Sequence, residues 1–372
     1  MPTHPADRAA DVLLRPFSVG RLHLPNRVIM APMTREFSPD GVPGEDVARY
    51  YARRAAGGVG LIITEGTYVG HASAGTSARV PHFHGDRALA GWSEVAAAVH
   101  REGGRIVPQL WHVGMERTAG NPPEPEAPPI GPSGIGLDGN RTGRAMTQAD
   151  IDNVVAAYAL AAAQAEALGF DGVEIHGGHG YLIDQFLWSH TNHRTDGYGG
   201  DIVRRTRFAA EIVAACRAAV SDDFPISFRL SQWKLRNFQA QIARTPEELE
   251  AILTLLSEAG ADVFHCSTRR FHQPEFADSD LNLAGWAKKV SGKPAISVGS
   301  VGLSNEFFQV FAGELASVTD ILGLLDRMER GEFELIAVGR ALLGDPEWLN
   351  KIVSDRADEL APFHLGLLGN LH

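Results

Sequence analysis

The chain has 372 residues, 44% of them hydrophobic and 21% charged, with a formal net charge of −11. That composition is globular, and its acidity argues against nucleic-acid or anionic-membrane partners. The only cysteines, Cys216 and Cys266, are too few for a disulfide framework, a four-cysteine zinc site or an iron–sulfur cluster.

The first residues, MPTHPADRAADVLLRPFSVG, lack a basic stretch leading into a continuous apolar run, so no secretory signal is expected. The most apolar helical stretch, 156–168, is alanine-rich and too short to span a bilayer. A cytoplasmic location is therefore expected. Residues 1–26 read as an N-terminal segment. Eight short apolar or β-branched runs follow: RVIMAPM (27–33), GLIITEG (60–66), RIVPQLWH (105–112), GVEIHGG (172–178), PISFRLS (225–231), DVFHCST (262–268), PAISVGS (294–300) and ELIAVGR (334–340). Helical spacing of apolar residues marks 85–102, 147–168, 201–220 and 245–259. Thr147 and Thr245 are N-cap residues in this pattern, the second followed by Pro246 at the first helical position.

Strands alternating with helices predict a parallel sheet with right-handed crossovers, and the count of eight selects an α/β (β/α)8 TIM barrel over an open sheet. The expectation is one barrel domain over 1–372, with the strands within 27–340 and a C-terminal helix and tail at 341–372. Long loops are expected after strands 3, 5 and 6, at 113–146, 231–244 and 268–280. The Pro- and Gly-rich part of the first, 121–136, cannot be helical.

In such barrels the active site lies at the carboxyl ends of the strands. Here those ends carry Thr34, Glu65, Gly66, Gln109, Trp111, His112, His176, His179, Tyr181, Arg229, Cys266, Gly299, Ser300, Gly339 and Arg340. Glycines closing strands 7 and 8, with Arg340 beside the second, suit a phosphate; tight strand-to-helix turns are the plainer alternative. Arg229 on a barrel strand needs an anionic or polar partner. His176 and His179 could be satisfied by carbonyls, could hold a metal, or could bind a substrate. A metal-dependent hydrolase would also want a His-x-His on strand 1, which ends instead in Met33-Thr34.

RVIMAPMTR, LIITEG, QLWH, EIHGGHGYLIDQF followed by NHRTDGYGG, and AVGRALLGDPEW stand in the order and spacing of the Old Yellow Enzyme family. This resemblance to FMN-dependent NADH:flavin oxidoreductases runs from about residue 13 to 355. It implies tightly bound, non-covalent FMN, NADH or NADPH as hydride donor, and a small activated alkene as acceptor, with no metal. Pro32, Met33, Thr34, Gly66, Gln109 and Arg229 would border the flavin ring, Gly66 because any Cβ would crowd it. Gly299, Ser300, Gly339 and Arg340 would take its phosphate. His176 and His179 would donate to the acceptor's carbonyl oxygen, with Tyr181 as proton donor and Trp111 and Tyr68 lining the substrate pocket. Gly177, Gly178 and Gly180 would keep the backbone slim beneath the substrate. Met115 stands where many members carry Arg, and 231–245 departs from well-known members. A demethylase-like amine oxidation on the same barrel is the implied alternative, and a homodimer the expected assembly.

Overall fold

Eight strands close into a parallel barrel: β1 (Val28–Met30), β2 (Leu61–Tyr68), β3 (Arg105–Trp111), β4 (Val173–His176), β5 (Ile226–Leu230), β6 (Val263–Ser267), β7 (Ala295–Val298) and β8 (Leu335–Val338). The computed structural model describes residues 4–305, 309–310 and 316–372. Each strand lies within or overlaps its expected run, and β8 pairs back onto β1 through Ile336 opposite Val28. The strands are buried on both faces, with all eight residues of β2 buried. Such burial follows when helices cover the outside and side chains fill the inside. A register shift between Ile63 and Gly66 in β2 re-aims that strand's end next to the cavity.

The four expected helices form at Asp86–Arg101, Gln148–Ala167, Ile202–Ala219 and Pro246–Glu258. Thr147 and Asp150 make a reciprocal capping box, and the Thr245 hydroxyl accepts from the Glu248 N–H. Helices at Glu45–Ala56, Leu283–Ser291 and Leu322–Glu329 carry the other crossovers.

Three of these regions carry further structure. In the N-terminal segment a helix, Pro5–Leu13, leads into a hairpin of Phe17–Val19 and Leu22–Leu24. Leu22 and Leu24 pack with Leu61, Ile63, Val107, Ile296 and Leu335, so the hairpin stoppers the amino end of the barrel with apolar side chains. The loop after β3 contains its own small ribbon, Ile130–Gly131 beside Arg144–Ala145. Met115 is buried there between Gly131 and Gly143, away from the cavity. The C-terminal helical stretch begins at Arg340 and continues in a second short helix, Trp348–Val353.

Candidate active site

A cavity of about 510 Å³ opens at the carboxyl ends of the strands. Pro32, Met33 and Thr34 beyond β1 line it, as do Gly66 on β2, Gln109 and Trp111 on β3, His176, His179 and Tyr181 at and beyond β4, and Arg229 on β5. Gly299, Ser300, Gly339 and Arg340 line its far end. Tyr68 does not. It pairs in register with Trp111, is 1% exposed, and lies behind that indole at 5.2 Å between ring centroids. Trp233, Leu235, Ser267, Arg269 and Leu368 also line the cavity, although no motif points to them.

The loop carrying Thr34 is pinned from β2. The buried Glu65 carboxylate accepts the N–H groups of Arg35 at 2.9 Å and Glu36 at 3.1 Å. Burial raises this carboxyl to about 7 against the pull of those two donors.

His176 Nε2 and His179 Nδ1 lie 3.3 Å apart at the cavity wall. Gly178 N–H donates to His176 Nδ1 at 3.3 Å, which puts the proton of a neutral His176 on Nε2. Arg229 Nη2 donates to Ser267 Oγ at 3.4 Å, leaving the serine proton for His179 Nε2, 2.8 Å away. His179 then carries its proton on Nδ1, and the two facing nitrogens are both donors, a pair that an acceptor oxygen from the cavity would satisfy. Burial first, and the Arg229 charge second, hold both imidazoles well below the usual histidine range, so they are neutral at pH 7. Burial brings Arg229 down to about 10, with Glu174 opposing, so it stays cationic. This positive, donor-rich wall suits an electron-rich oxygen and repels a cation. Tyr181 packs edge-on against Trp111 at 4.8 Å and His176 at 5.1 Å. Burial lifts its phenol above the ordinary tyrosine value, so it is a protonated donor throughout the neutral range.

Below this wall lies a charged bed. Glu174 on β4, fully buried, accepts from Gln109 Nε2 at 2.7 Å, Ser227 Oγ at 3.2 Å and His265 Nδ1 at 2.8 Å. Its first of these contacts fixes the Gln109 amide: the NH2 group turns to Glu174, and the carbonyl oxygen is left to accept from a group in the cavity.

At the far end, Gly299 has φ of 150° and Ser300 φ of 50°. A Cβ on Gly299 would sit 2.7 Å from the Thr268 carbonyl oxygen and 2.9 Å from Arg270 N, so only glycine fits. Arg340 Nη2 donates to Ser300 Oγ at 3.4 Å and to the Asn305 carbonyl. Its Nη1 is buried without a partner among the described residues.

At four other glycines a Cβ would meet protein neighbours. A Cβ on Gly66 would meet Trp111 Cε3 at 2.6 Å, so this glycine seats the indole. At Gly177 the obstacle is the Phe228 ring at 2.2 Å, at Gly178 Ser231 N at 3.0 Å, and at Gly180, where φ is 87°, Leu137. None of the three lines the cavity. Gly66→Ala is expected to push Trp111 off its bed and to destabilise the fold by about 1–3 kcal/mol, as overpacking does. A melting curve reads this directly, and an unshifted midpoint would contradict it.

Comparison with known proteins agrees with this geometry. The model of the NADH:flavin oxidoreductase / NADH oxidase family matches residues 12–359. The chain belongs to that family. It is thus a barrel of the Old Yellow Enzyme type. It is 35% identical over 354 residues to the NADH oxidase of Thermoanaerobacter brockii, covering 92% of this chain and 50% of that one. The chain therefore spans about half the length of that relative. To the chanoclavine-I aldehyde reductase of Penicillium roqueforti it is 39% identical over 260 residues, 68% of this chain and 69% of the other. The solved structure of morphinone reductase in complex with tetrahydroNAD is similar with a TM-score of 0.79 and 28% identity, covering 96% of this chain and 93% of that one.

The cofactor of this Old Yellow Enzyme relative is FMN, and the cavity fits it. Arg229 Nε and Arg340 Nη1 are buried donors lacking partners among the described residues, one at each end of the site. A flavin's C2 carbonyl edge and its phosphate supply acceptors for both, and the Gln109 carbonyl can accept from a ring N–H.

Proposed function

We propose that this chain reduces the activated C=C bond of α,β-unsaturated carbonyl or nitro compounds with hydride from NAD(P)H, the two reactants using one cavity in turn. The observation that carries this reading is the neutral His176–His179 couple, its facing ring nitrogens 3.3 Å apart at the cavity wall, beside a protonated Tyr181. Two donors aimed at one oxygen stabilise the enolate-like charge that develops when hydride reaches the β-carbon.

In this reading Gly299, Ser300, Gly339 and Arg340 hold the phosphate of FMN, Arg340 as the cationic member. Pro32, Met33 and Thr34 border one edge of its ring and Gly66 another, while Gln109 and Arg229 meet the pyrimidine side. Bound FMN supplies the redox chemistry, taking hydride from NAD(P)H and giving it up to the alkene. Arg229 stabilises the negative charge of the reduced ring. Trp111 and Trp233 flank the substrate slot, and Tyr181 delivers a proton to the α-carbon. Trp111 Nε1 is buried without a partner among the described residues, so that wall also offers a donor.

The test is anaerobic. NADH and NADPH are each added while flavin absorbance is followed, and 2-cyclohexenone or maleimide is then mixed with the reduced protein. Bleaching by a nicotinamide and recovery on adding the alkene are expected; reduction that no activated alkene reverses would overturn the proposal. Tyr181→Phe is expected to slow the recovery by about 10²-fold, the lower end of general-acid contributions. Its reduction by NAD(P)H should keep the wild-type rate, since that half-reaction needs no phenolic proton. Equal slowing of both halves would remove Tyr181 from the acid role.

A further inference from the structure

The five residues after β5, Ser231-Gln232-Trp233-Lys234-Leu235, play no part in the roles assigned above beyond Trp233 as a wall, yet they hold His179 from several sides. His179 has φ of 63°, a left-handed conformation that persists in a non-glycine residue only when its surroundings over-determine it. Its N–H donates to Ser231 Oγ at 2.8 Å, and its carbonyl accepts from Leu235 N–H at 3.1 Å. The Trp233 ring lies against the imidazole, centroids 4.5 Å apart. The Trp233 indole N–H donates to the Ser267 carbonyl at 3.1 Å, and the Ser267 hydroxyl is the group that meets His179 Nε2.

Lys234 runs beneath this loop. Its ammonium lies 2.8 Å from both oxygens of Asp184 and donates to the Ser231 carbonyl at 3.1 Å, with both side chains of the pair 0% exposed. Asp184 Oδ2 in turn accepts the N–H of Gly180 at 2.6 Å, the residue between His179 and Tyr181. Lysine is almost never fully buried unless paired, and an apolar side chain would fill the same space at less desolvation cost. What the pair adds over packing is direction: a carboxylate held still at the Gly180 N–H.

We infer that residues 231–235 form a clamp, with Lys234 as its positioning residue, that sets the backbone of His179 and Gly180 and thereby the aim of the His179 imidazole and the Tyr181 phenol. The inference rests on the proposed reading of His179 as a donor to the acceptor's oxygen. The clamp acts on aim and leaves the flavin's own contacts alone.

The experiment titrates the purified flavoprotein with 4-hydroxybenzaldehyde, read by the long-wavelength absorbance of a phenolate stacked on oxidised flavin. Lys234→Met keeps the side-chain length and removes the charge. Its phenol Kd is expected to rise about tenfold or more, as misaimed groups lose affinity, with flavin content unchanged. Ser231→Ala is expected to weaken phenol binding similarly, and Ser231→Thr, which keeps the hydroxyl, to restore it. A merely structural segment would lower the melting temperature of these variants without moving the Kd of the folded fraction. Should Lys234→Met fail to fold, the Ser231 pair decides alone. Wild-type affinity in Ser231→Ala, or in a folded Lys234→Met, overturns the clamp and leaves the proposed function standing. A wild-type protein that neither shows the phenolate band nor turns over enones overturns both.

Discussion

The variant lacking both imidazoles, His176→Ala with His179→Ala, is expected to keep its FMN and lose its grip on the acceptor. Neither histidine bonds to the residues around Gly299 and Arg340, so the phosphate end is untouched. The wall beside Tyr181, by contrast, loses both imidazole donors. A single donor aimed at a developing oxyanion contributes about 2–4 kcal/mol to the barrier, or about 10²–10³ in rate. Two donors sharing one oxygen do not add independently, so a fall of about 10³-fold or more in enone turnover is expected, with phenolate absorbance abolished. Steady-state rates and a phenol titration read both. A double variant that loses flavin but still reduces enones at the wild-type rate would show that the roles are assigned to the wrong residues.

Arg229→Met is expected to act on the flavin and on the fold together. Arg229 stands in register between His176 on β4 and His265 on β6 and is 7% exposed. Its charge is one of the influences, with that of His265, that hold Glu174 below the usual carboxylate value against the opposing effect of burial. Without the guanidinium, Glu174 loses one of the charges that favour its ionised form while keeping its contacts to Gln109, Ser227 and His265, so a lower melting midpoint is expected. The midpoint potential of the bound flavin should fall as well, because negative charge on reduction loses its counter-charge. A charge-assisted hydrogen bond worth about 2–3 kcal/mol corresponds to about 40–65 mV for a two-electron couple. Thermal unfolding and redox titration measure the two effects separately. A variant with the wild-type potential would place Arg229 away from the flavin's pyrimidine edge.

The barrel was legible because its strands are short apolar runs buried on both sides, and because Thr147 and Thr245 announce their helices. The helix Glu45–Ala56 escaped notice for a physical reason: it starts at Gly44 without a side-chain cap, and its charged residues include Arg54, which is buried and bonded to carbonyls. Side chains carried by one local motif, such as His176, His179 and Tyr181, could be read in order. Ser267 and Trp233 could not, since Ser267 at the end of β6 and Trp233 after β5 meet His179 only once the barrel has closed. Gly66 marks the same limit: its spareness serves the indole of Trp111, a neighbour that only the β2–β3 register reveals.

The most direct measurement is a crystal structure of the purified yellow protein with 4-hydroxybenzaldehyde bound. The account predicts FMN with its phosphate at Gly299, Ser300 and Arg340, and the phenolate oxygen within hydrogen-bond distance of both His176 and His179. A phenol oriented with that oxygen away from both imidazoles, or a cavity that takes no FMN, would contradict it.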